Sequence, residues 1–162
     1  MKWMAATLLL CCATVFAGDL PDQRMTPGAT NPDVTQNNID STVCVKGFTK
    51  TIRPPASYTN KLKKAQIRQY HYADTNPKDY EEDHLIALSI GGNPTDERNL
   101  WPQPRNSEWN AAKKDQLELT MYKMVCARDI TLAQAQHDMS VDWIGAYKRY
   151  VHGRSKFKFA PV

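Results

Sequence analysis

The sequence lacks the short motifs that mark several large enzyme classes. It has no internal repeat, no glycine-rich phosphate-binding loop, no Gly-x-Ser-x-Gly elbow and no Cys-x-x-Cys pair. These absences argue against a repeat protein, a P-loop nucleotide-binding protein, an α/β-hydrolase and a thioredoxin-like redox protein. Strong charge is absent as well, because 21 Lys and Arg face 17 Asp and Glu among 162 residues. Such a mildly basic balance permits contact with a polyanion without requiring it.

A long apolar run occurs only at the N-terminus. Lys2 precedes an apolar stretch over residues 4–16, and Val15-Phe16-Ala17 ends it with a small-residue cleavage pattern. This pattern predicts a secretory signal peptide over residues 1–17, too short to be a membrane span. The mature protein is then expected to be periplasmic or secreted. Cleavage removes one charged residue, so the formal net charge falls from +4 to +3.

Few cysteines remain after this cleavage. Removal of residues 1–17 takes away Cys11 and Cys12 and leaves Cys44 and Cys126. A lipid-modified cysteine at either of the first two positions is disfavoured, because the residues before them suit acylation poorly. In an oxidising compartment the remaining pair is most simply a disulfide, with two buried free thiols as the alternative.

Composition divides the rest of the chain into three parts. Residues 18–42 are rich in Pro, Asn, Asp, Thr and Gln, which predicts a flexible or loosely packed leader. One domain is expected over residues 43–151, beginning with short strands near residues 43–48 and 51–53. The tail 152–162 alternates basic and aromatic residues, a pattern suited to a nucleic acid or membrane surface but also common in disordered ends.

Two helices outside the central motif are predicted from apolar spacing and caps. One covers residues 61–70, and the other begins at Thr131, whose spacing to Gln134 matches a capping box. The apolar stripe of the second helix indicates packing on the domain. The basic residues of the first helix either face solvent or contact phosphate beside a cleft: Lys61, Lys63, Lys64 and Arg68.

Residues 81–92 contain side chains suited to phosphodiester hydrolysis. That reaction needs a base to activate water and a cation to hold the phosphate oxygens. His84 suits the first role, and Asp83 can hold a cation. Taken alone, the pair is also compatible with a hydrogen-bonded core histidine beside a turn aspartate.

The elements around this pair follow from apolar runs and breakers. The apolar run 85–90 ends at Gly91-Gly92, which predicts a short strand with the Asp-His pair at its mouth. A second short strand is predicted over 99–101. After two prolines a helix is expected over 109–126, so that the order is strand, loop, strand, helix.

With Asn99 and Asn110, the Asp83-His84 pair resembles the motif of the HNH, or ββα-metal, endonuclease superfamily. The resemblance covers residues 80–117, and it rests on the pair together with Leu85-Ile86, Gly91-Gly92, Asn99-Leu100-Trp101-Pro102 and Asn110. It implies an α+β fold, a ββα-metal core with additional helices, here with one disulfide. The segments 53–55 and 57–60 and the two outlying cysteines are similar to small exported bacterial proteins that carry this motif.

The resemblance also implies residue roles. His84 would be the general base, and Asn99 would fix the orientation of its imidazole. Asp83 and Asn110 would bind a single divalent ion, with Asn106 as the rival to Asn110. A site of one carboxylate, one amide oxygen and water suits Mg²⁺ or Mn²⁺ better than Zn²⁺.

Two further expectations concern the surroundings of this motif. Many family members brace it with two Cys-x-x-Cys knuckles around zinc, which this chain lacks. A disulfide between Cys44 and Cys126 could replace that brace. Arg98, Arg105 and Lys113, with its neighbour Lys114, are candidates to hold a substrate phosphate, and the sequence does not rank them.

The function expected from these residues is that of an exported, metal-dependent endonuclease. It would hydrolyse phosphodiester bonds of DNA, with RNA as the other possible substrate. A non-catalytic envelope protein that retains the scaffold for binding or structure is the alternative from another class. A toxin delivered to rival cells would share the chemistry, but no delivery domain accompanies the motif.

Overall fold

The computed structural model describes residues 18–153, so the predicted signal peptide and the tail beyond residue 153 lie outside the described residues. The fold is mixed α+β. Its elements are listed in chain order: α1 (Phe48–Ile52), α2 (Ala56–Gln69), β1 (Tyr80–His84), β2 (Leu100–Pro104), α3 (Ala111–Cys126) and α4 (Leu132–Tyr147), which a π turn continues over Lys148–His152. Short 3-10 helices cover Gln36–Ser41, Pro77–Asp79, Leu88–Ile90 and Glu97–Asn99.

Strands β1 and β2 form an antiparallel two-stranded sheet. His84 pairs with Leu100 and Asp83 with Trp101, while Pro102 and Pro104 are tolerated because each strand is also an edge. The strand β1 therefore precedes the apolar run that the sequence predicted as a strand. The predicted position of the Asp-His pair is corrected, since it closes β1 rather than opening a strand.

The apolar run after β1 forms a buried loop instead of a strand. Leu85, Ile86 and Ile90 are at most 3% exposed, so the run is covered on all sides rather than alternately. Gly91 ends the 3-10 helix Leu88–Ile90 with φ 77°, a conformation that favours glycine. Gly92 allows close backbone approach, because a Cβ there would lie 1.7 Å from the oxygen of Ile86.

The leader over residues 18–42 packs against the domain, which corrects the prediction that it is flexible. Thr26 donates a side-chain hydrogen bond to the Leu100 oxygen, and the Gly28 amide donates to the oxygen of Arg98. Ile39 is completely buried. Composition failed here because the segment is stabilised by long-range backbone partners rather than by many apolar side chains.

The region after the leader also differs from prediction. Gly47 has φ 90°, and α1 follows it where two short strands were expected. Arg53 returns to an extended conformation before Pro54, as a residue preceding proline prefers. The predicted helix over 61–70 is found as α2, which starts earlier, at Ala56.

Helices α3 and α4 provide a large part of the core. Buried residues recur every three or four positions along each helix, as an amphipathic helix requires. Thr131 accepts a hydrogen bond from the Gln134 amide at 3.0 Å, which confirms the predicted start of α4. The buried side chains include Leu117, Met121 and Val125 of α3 and Ala135, Met139 and Trp143 of α4.

The predicted disulfide is confirmed. Cys44 and Cys126 are bonded across 82 positions of sequence. The bond ties the segment before α1 to the C-terminal end of α3. Among residues 18–153, none of the helices has the length and apolarity needed to cross a membrane.

Candidate active-site cleft

Asp83 and His84 project from opposite faces of β1, since successive side chains of a strand alternate. His84 lines a cleft of about 260 Å³ between α2, β1 and the end of β2. Asp83 instead contacts Lys114 of α3. The structure therefore does not bring the two side chains to one point.

The imidazole of His84 is neutral, and its single ring proton lies on Nε2. The residue is 4% exposed, and its Nε2 lies 3.0 Å from the main-chain oxygen of Pro94. Because a carbonyl only accepts hydrogen bonds, Nε2 must carry the ring proton, which leaves Nδ1 with a free lone pair. Burial lowers the pKa of His84, so the imidazole is neutral at physiological pH.

Asn99 fixes the loop between the strands and makes no contact with the imidazole. Its Oδ1 accepts from the Ile86 amide at 2.8 Å, and its Nδ2 donates to the oxygens of Ile86 and Asn93, both at 3.0 Å. Asn93 precedes Pro94, whose oxygen orients His84. The expectation that Asn99 orients the imidazole directly is thus corrected. Asn99 acts on His84 indirectly, through the backbone of the loop.

Only one of the predicted phosphate contacts lies in the cleft. Arg105 lines it and forms an ion pair with Glu81 at 3.0 Å. Arg98 points elsewhere and is paired with Asp96 at 2.6 Å. The Nζ of Lys113 lies 4.5 Å from the ring centroid of Trp109, also outside the cleft.

Two further cations line the cleft with His84. They are Arg53, which follows α1, and Lys63 of α2, whose Nζ donates to the Tyr80 oxygen at 3.1 Å. The sequence offered Lys63 as one of four basic residues on the same helix, and it could not rank them. Proximity to His84 in three dimensions selects it.

Glu82 is a site residue that sequence reasoning missed. It lies on the same face of β1 as His84 and lines the cleft, but both carboxyl oxygens are buried without a protein hydrogen-bond partner. Burial, and next the charge of Asp83, raise the pKa of Glu82 to about 8. The spacing of two residues from His84 was the available signal. At neutral pH the neutral form predominates, which leaves the cleft with a positive balance.

Lys114 of α3 is the most buried cation of the site. Its Nζ donates to the His84 oxygen at 2.7 Å and lies 2.6 Å from both Asp83 Oδ2 and Glu118 Oε1. Burial alone would lower the pKa of Lys114, but these two carboxylates outweigh it and raise the pKa. Burial raises the pKa of Glu118 to about 7 despite the lysine.

The expected metal ligands do not fit a divalent ion in this arrangement. Asp83 already has the Lys114 ammonium as its counterion. Asn110 caps α3, and its Oδ1 accepts from the Lys113 amide at 3.1 Å. The rival Asn106 donates its amide to Asp79 Oδ1. Among residues 18–153, no group of three His, Cys, Asp or Glu side chains is placed to hold a metal.

The site therefore consists of a neutral imidazole in a cleft with three cations and a buried carboxyl group. The elements β1, β2 and α3 follow one another as strand, strand and helix, the predicted order, but the first strand lies before the predicted one at 85–90. Comparison of the chain with protein-family models, with curated proteins and with solved structures found no match.

Proposed function

We propose that this chain is an exported endonuclease that hydrolyses phosphodiester bonds, with His84 as its general base. The observation that carries the proposal is the fixed tautomer of His84. Its Nε2 is committed to the Pro94 oxygen, so Nδ1 is the atom able to take a proton from an attacking water. DNA is the proposed substrate, and RNA is the other nucleic acid to test.

The electrostatics of the cleft support a phosphate ligand. Arg53, Lys63 and Arg105 surround the imidazole and can neutralise the charge that develops on phosphate oxygens. Glu81 is the opposing carboxylate, and it is already paired with Arg105. Because Glu82 is neutral at physiological pH, Glu81 alone opposes the three cations, and the cleft keeps a positive balance.

The resemblance of residues 80–117 to the HNH superfamily supports the same chemistry. The order of two strands and a helix that the resemblance implies is also the order of β1, β2 and α3, although the Asp-His pair closes β1 instead of opening the first strand. The proposal retains Mg²⁺ or Mn²⁺ as the ion that supports cleavage. It assigns no protein ligand to that ion, because Asp83 and Asn110 are engaged elsewhere.

An exported location is part of the proposal. The bonded pair Cys44–Cys126 is typical of proteins that mature in an oxidising compartment. The predicted signal peptide over residues 1–17 supplies the route to the periplasm or the medium.

The test is nicking of supercoiled plasmid by the purified protein that starts at Gly18, with and without a chelator. Replacing His84 with alanine should lower the rate about a hundredfold to ten-thousandfold, as expected for loss of a positioned base. His137→Ala is the matched control, because His137 is exposed on α4. Parent protein that binds plasmid or RNA but cleaves neither would favour the non-catalytic alternative.

A further inference from the structure

Lys114 contacts two successive residues of β1, Asp83 and His84, from the face of the sheet opposite the cleft. Its side chain is 1% exposed, and its ammonium group lies within 2.7 Å of the His84 main-chain oxygen, Asp83 Oδ2 and Glu118 Oε1. Its contacts with the His84 oxygen and with Glu118 Oε1 are hydrogen bonds, and its contact with Asp83 Oδ2 is an ion pair. A lysine this deeply buried is unusual unless it is fully paired.

These contacts hold His84 from the side away from its ring. The main-chain oxygen of His84 is bound by Lys114, and the ring Nε2 is bound by the Pro94 oxygen. His84 is also the last residue of β1, where the ladder gives way to the loop. A helix side chain therefore holds the last residue of the strand, next to the hydrogen bond from the Leu85 amide to the Asn99 oxygen.

Asp83 takes part in this arrangement as a counterion. Its Oδ2 lies 2.6 Å from the ammonium, and its side chain is 14% exposed. A divalent ion on the same oxygen would be opposed by the adjacent lysine charge. Glu118, four residues after Lys114 on α3, holds the ammonium from the helix side at the same distance.

We propose that Lys114 is a positioning residue for the cleavage reaction, holding the His84 backbone directly and using Asp83 as its counterion rather than as a metal ligand. This inference rests on the proposed function. It assigns Asp83, Lys114 and Glu118 to one buried network that sets the direction of the imidazole. Loss of the network displaces the base without removing it.

The test compares Lys114→Met, Lys114→Arg, Asp83→Asn and the double variant K114M/D83N. Plasmid nicking gives kcat and KM for each, and Lys123→Met, an exposed lysine on the same helix, is the control. Lys114→Met should lower kcat about a hundredfold with KM changed by less than about threefold, as expected for a misplaced catalytic group. Lys114→Arg should recover part of the loss, because a guanidinium also pairs with carboxylates.

The double variant K114M/D83N tests whether Lys114 and Asp83 act together or independently. If Lys114 and Asp83 act as one unit, K114M/D83N should be no slower than the slower single variant. The Mn²⁺ concentration for half-maximal activity, and Mn²⁺ binding measured by electron paramagnetic resonance, should be unchanged in Asp83→Asn. A tenfold or larger weakening of Mn²⁺ binding in Asp83→Asn alone would overturn the counterion assignment and restore Asp83 as a ligand.

The outcomes distinguish this inference from the proposed function. If the parent nicks plasmid and His84→Ala does not, while Lys114→Met keeps the parent kcat, the positioning role is overturned and the function stands. If the parent is inactive, the function fails, and nitrogen-15 NMR of the His84 ring tests the positioning alone. An unchanged tautomer and ring shift in Lys114→Met would then refute it. Should Lys114→Met fail to fold, K114M/D83N and Lys114→Arg carry the same comparison.

Discussion

The ring Nε2 of His84 and the main-chain oxygen of Pro94 lie 3.0 Å apart, across the loop that joins the two strands. This contact fixes which nitrogen of the imidazole is free. It also makes the base depend on the loop conformation, and Asn99 maintains that conformation through the oxygen of the preceding residue, Asn93. The chemistry of the cleft is therefore linked to the backbone of a loop whose residues do not line the cleft.

The state of His84 predicts how cleavage depends on pH. Burial lowers its pKa from the ordinary 6.5, Arg53 and Lys114 lower it further, and the Pro94 contact and Asp83 oppose them. The unprotonated form of His84 therefore predominates at pH 6.5, and kcat/KM should fall to half its plateau only at more acidic pH. Measuring kcat/KM against pH checks this. Arg53→Met should move the acidic limb to higher pH, and a limb already above 6.5 in the parent would contradict the prediction.

The cleft geometry predicts that Arg105 and Lys113 differ, although each substitution removes one positive charge. Arg105→Met should raise KM and reduce the slope of log K against log salt by about one, because one phosphate contact is lost. Lys113→Met should leave both values within error, since that lysine lies over Trp109 and outside the cleft. Equal effects of the two substitutions on plasmid binding would show that general charge, not the cleft, governs affinity.

Glu82 predicts a pH dependence of stability. Its pKa is raised to about 8, first by burial and next by Asp83, above the ordinary 4.5 of an unfolded chain. The folded state thus binds this proton more tightly than the unfolded state. The resulting contribution to the free energy of unfolding is complete below pH 4.5 and is lost as the pH rises through 8. In thermal unfolding, the melting temperature of Glu82→Gln should therefore rise relative to that of the parent as the pH rises from 4.5 to 8.

The control for Glu82 is Glu108→Gln, a substitution at an exposed position. Its melting temperature should follow that of the parent at every pH. Other buried carboxyls, such as Glu118, titrate in both proteins and cancel in the comparison. A difference between Glu82→Gln and the parent that is constant with pH would mean that the Glu82 carboxyl keeps its ordinary pKa.

The disulfide predicts a large loss of stability on removal. Closing a loop of 82 residues stabilises the folded state by about 4.5 kcal/mol in the chain-entropy model. The double variant C44S/C126S should lose about that amount in equilibrium denaturation, and the parent should lose it on reduction. Two thiols reactive in the denatured, non-reduced protein would contradict the bond.

Much of the fold followed from local sequence signals. The cap at Thr131, the helix that ends at Cys126 and the pairing of Cys44 with that residue were all predicted and are present. Each depends on short-range spacing or on there being a single pair to match. The leader over 18–42 could not be predicted in this way, because the hydrogen bonds that hold it to the domain go to residues distant in sequence, such as Arg98, Leu100 and Trp143.

The site was predictable in composition but not in arrangement. Asp83 and His84 were identified as a pair, yet strand alternation separates them, and their partners lie on α3 and in the loop. Lys113 and Lys114 look equivalent in the sequence, although one is over an aromatic ring and the other is buried beneath the strand. The spacing of four between Lys114 and Glu118 was the local sign of that difference.

Gly92 is a position of the loop that cannot accept a side chain without a clash. A Cβ at this position would meet the oxygen of Ile86 at 1.7 Å and the Nδ2 of Asn99 at 2.9 Å, so every other amino acid must displace backbone or the side chain that maintains the loop. In a library with all substitutions at each position, selected only for folded protein, Gly92 should retain its original residue almost alone. Gly47, with open space around its Cβ direction, should accept asparagine.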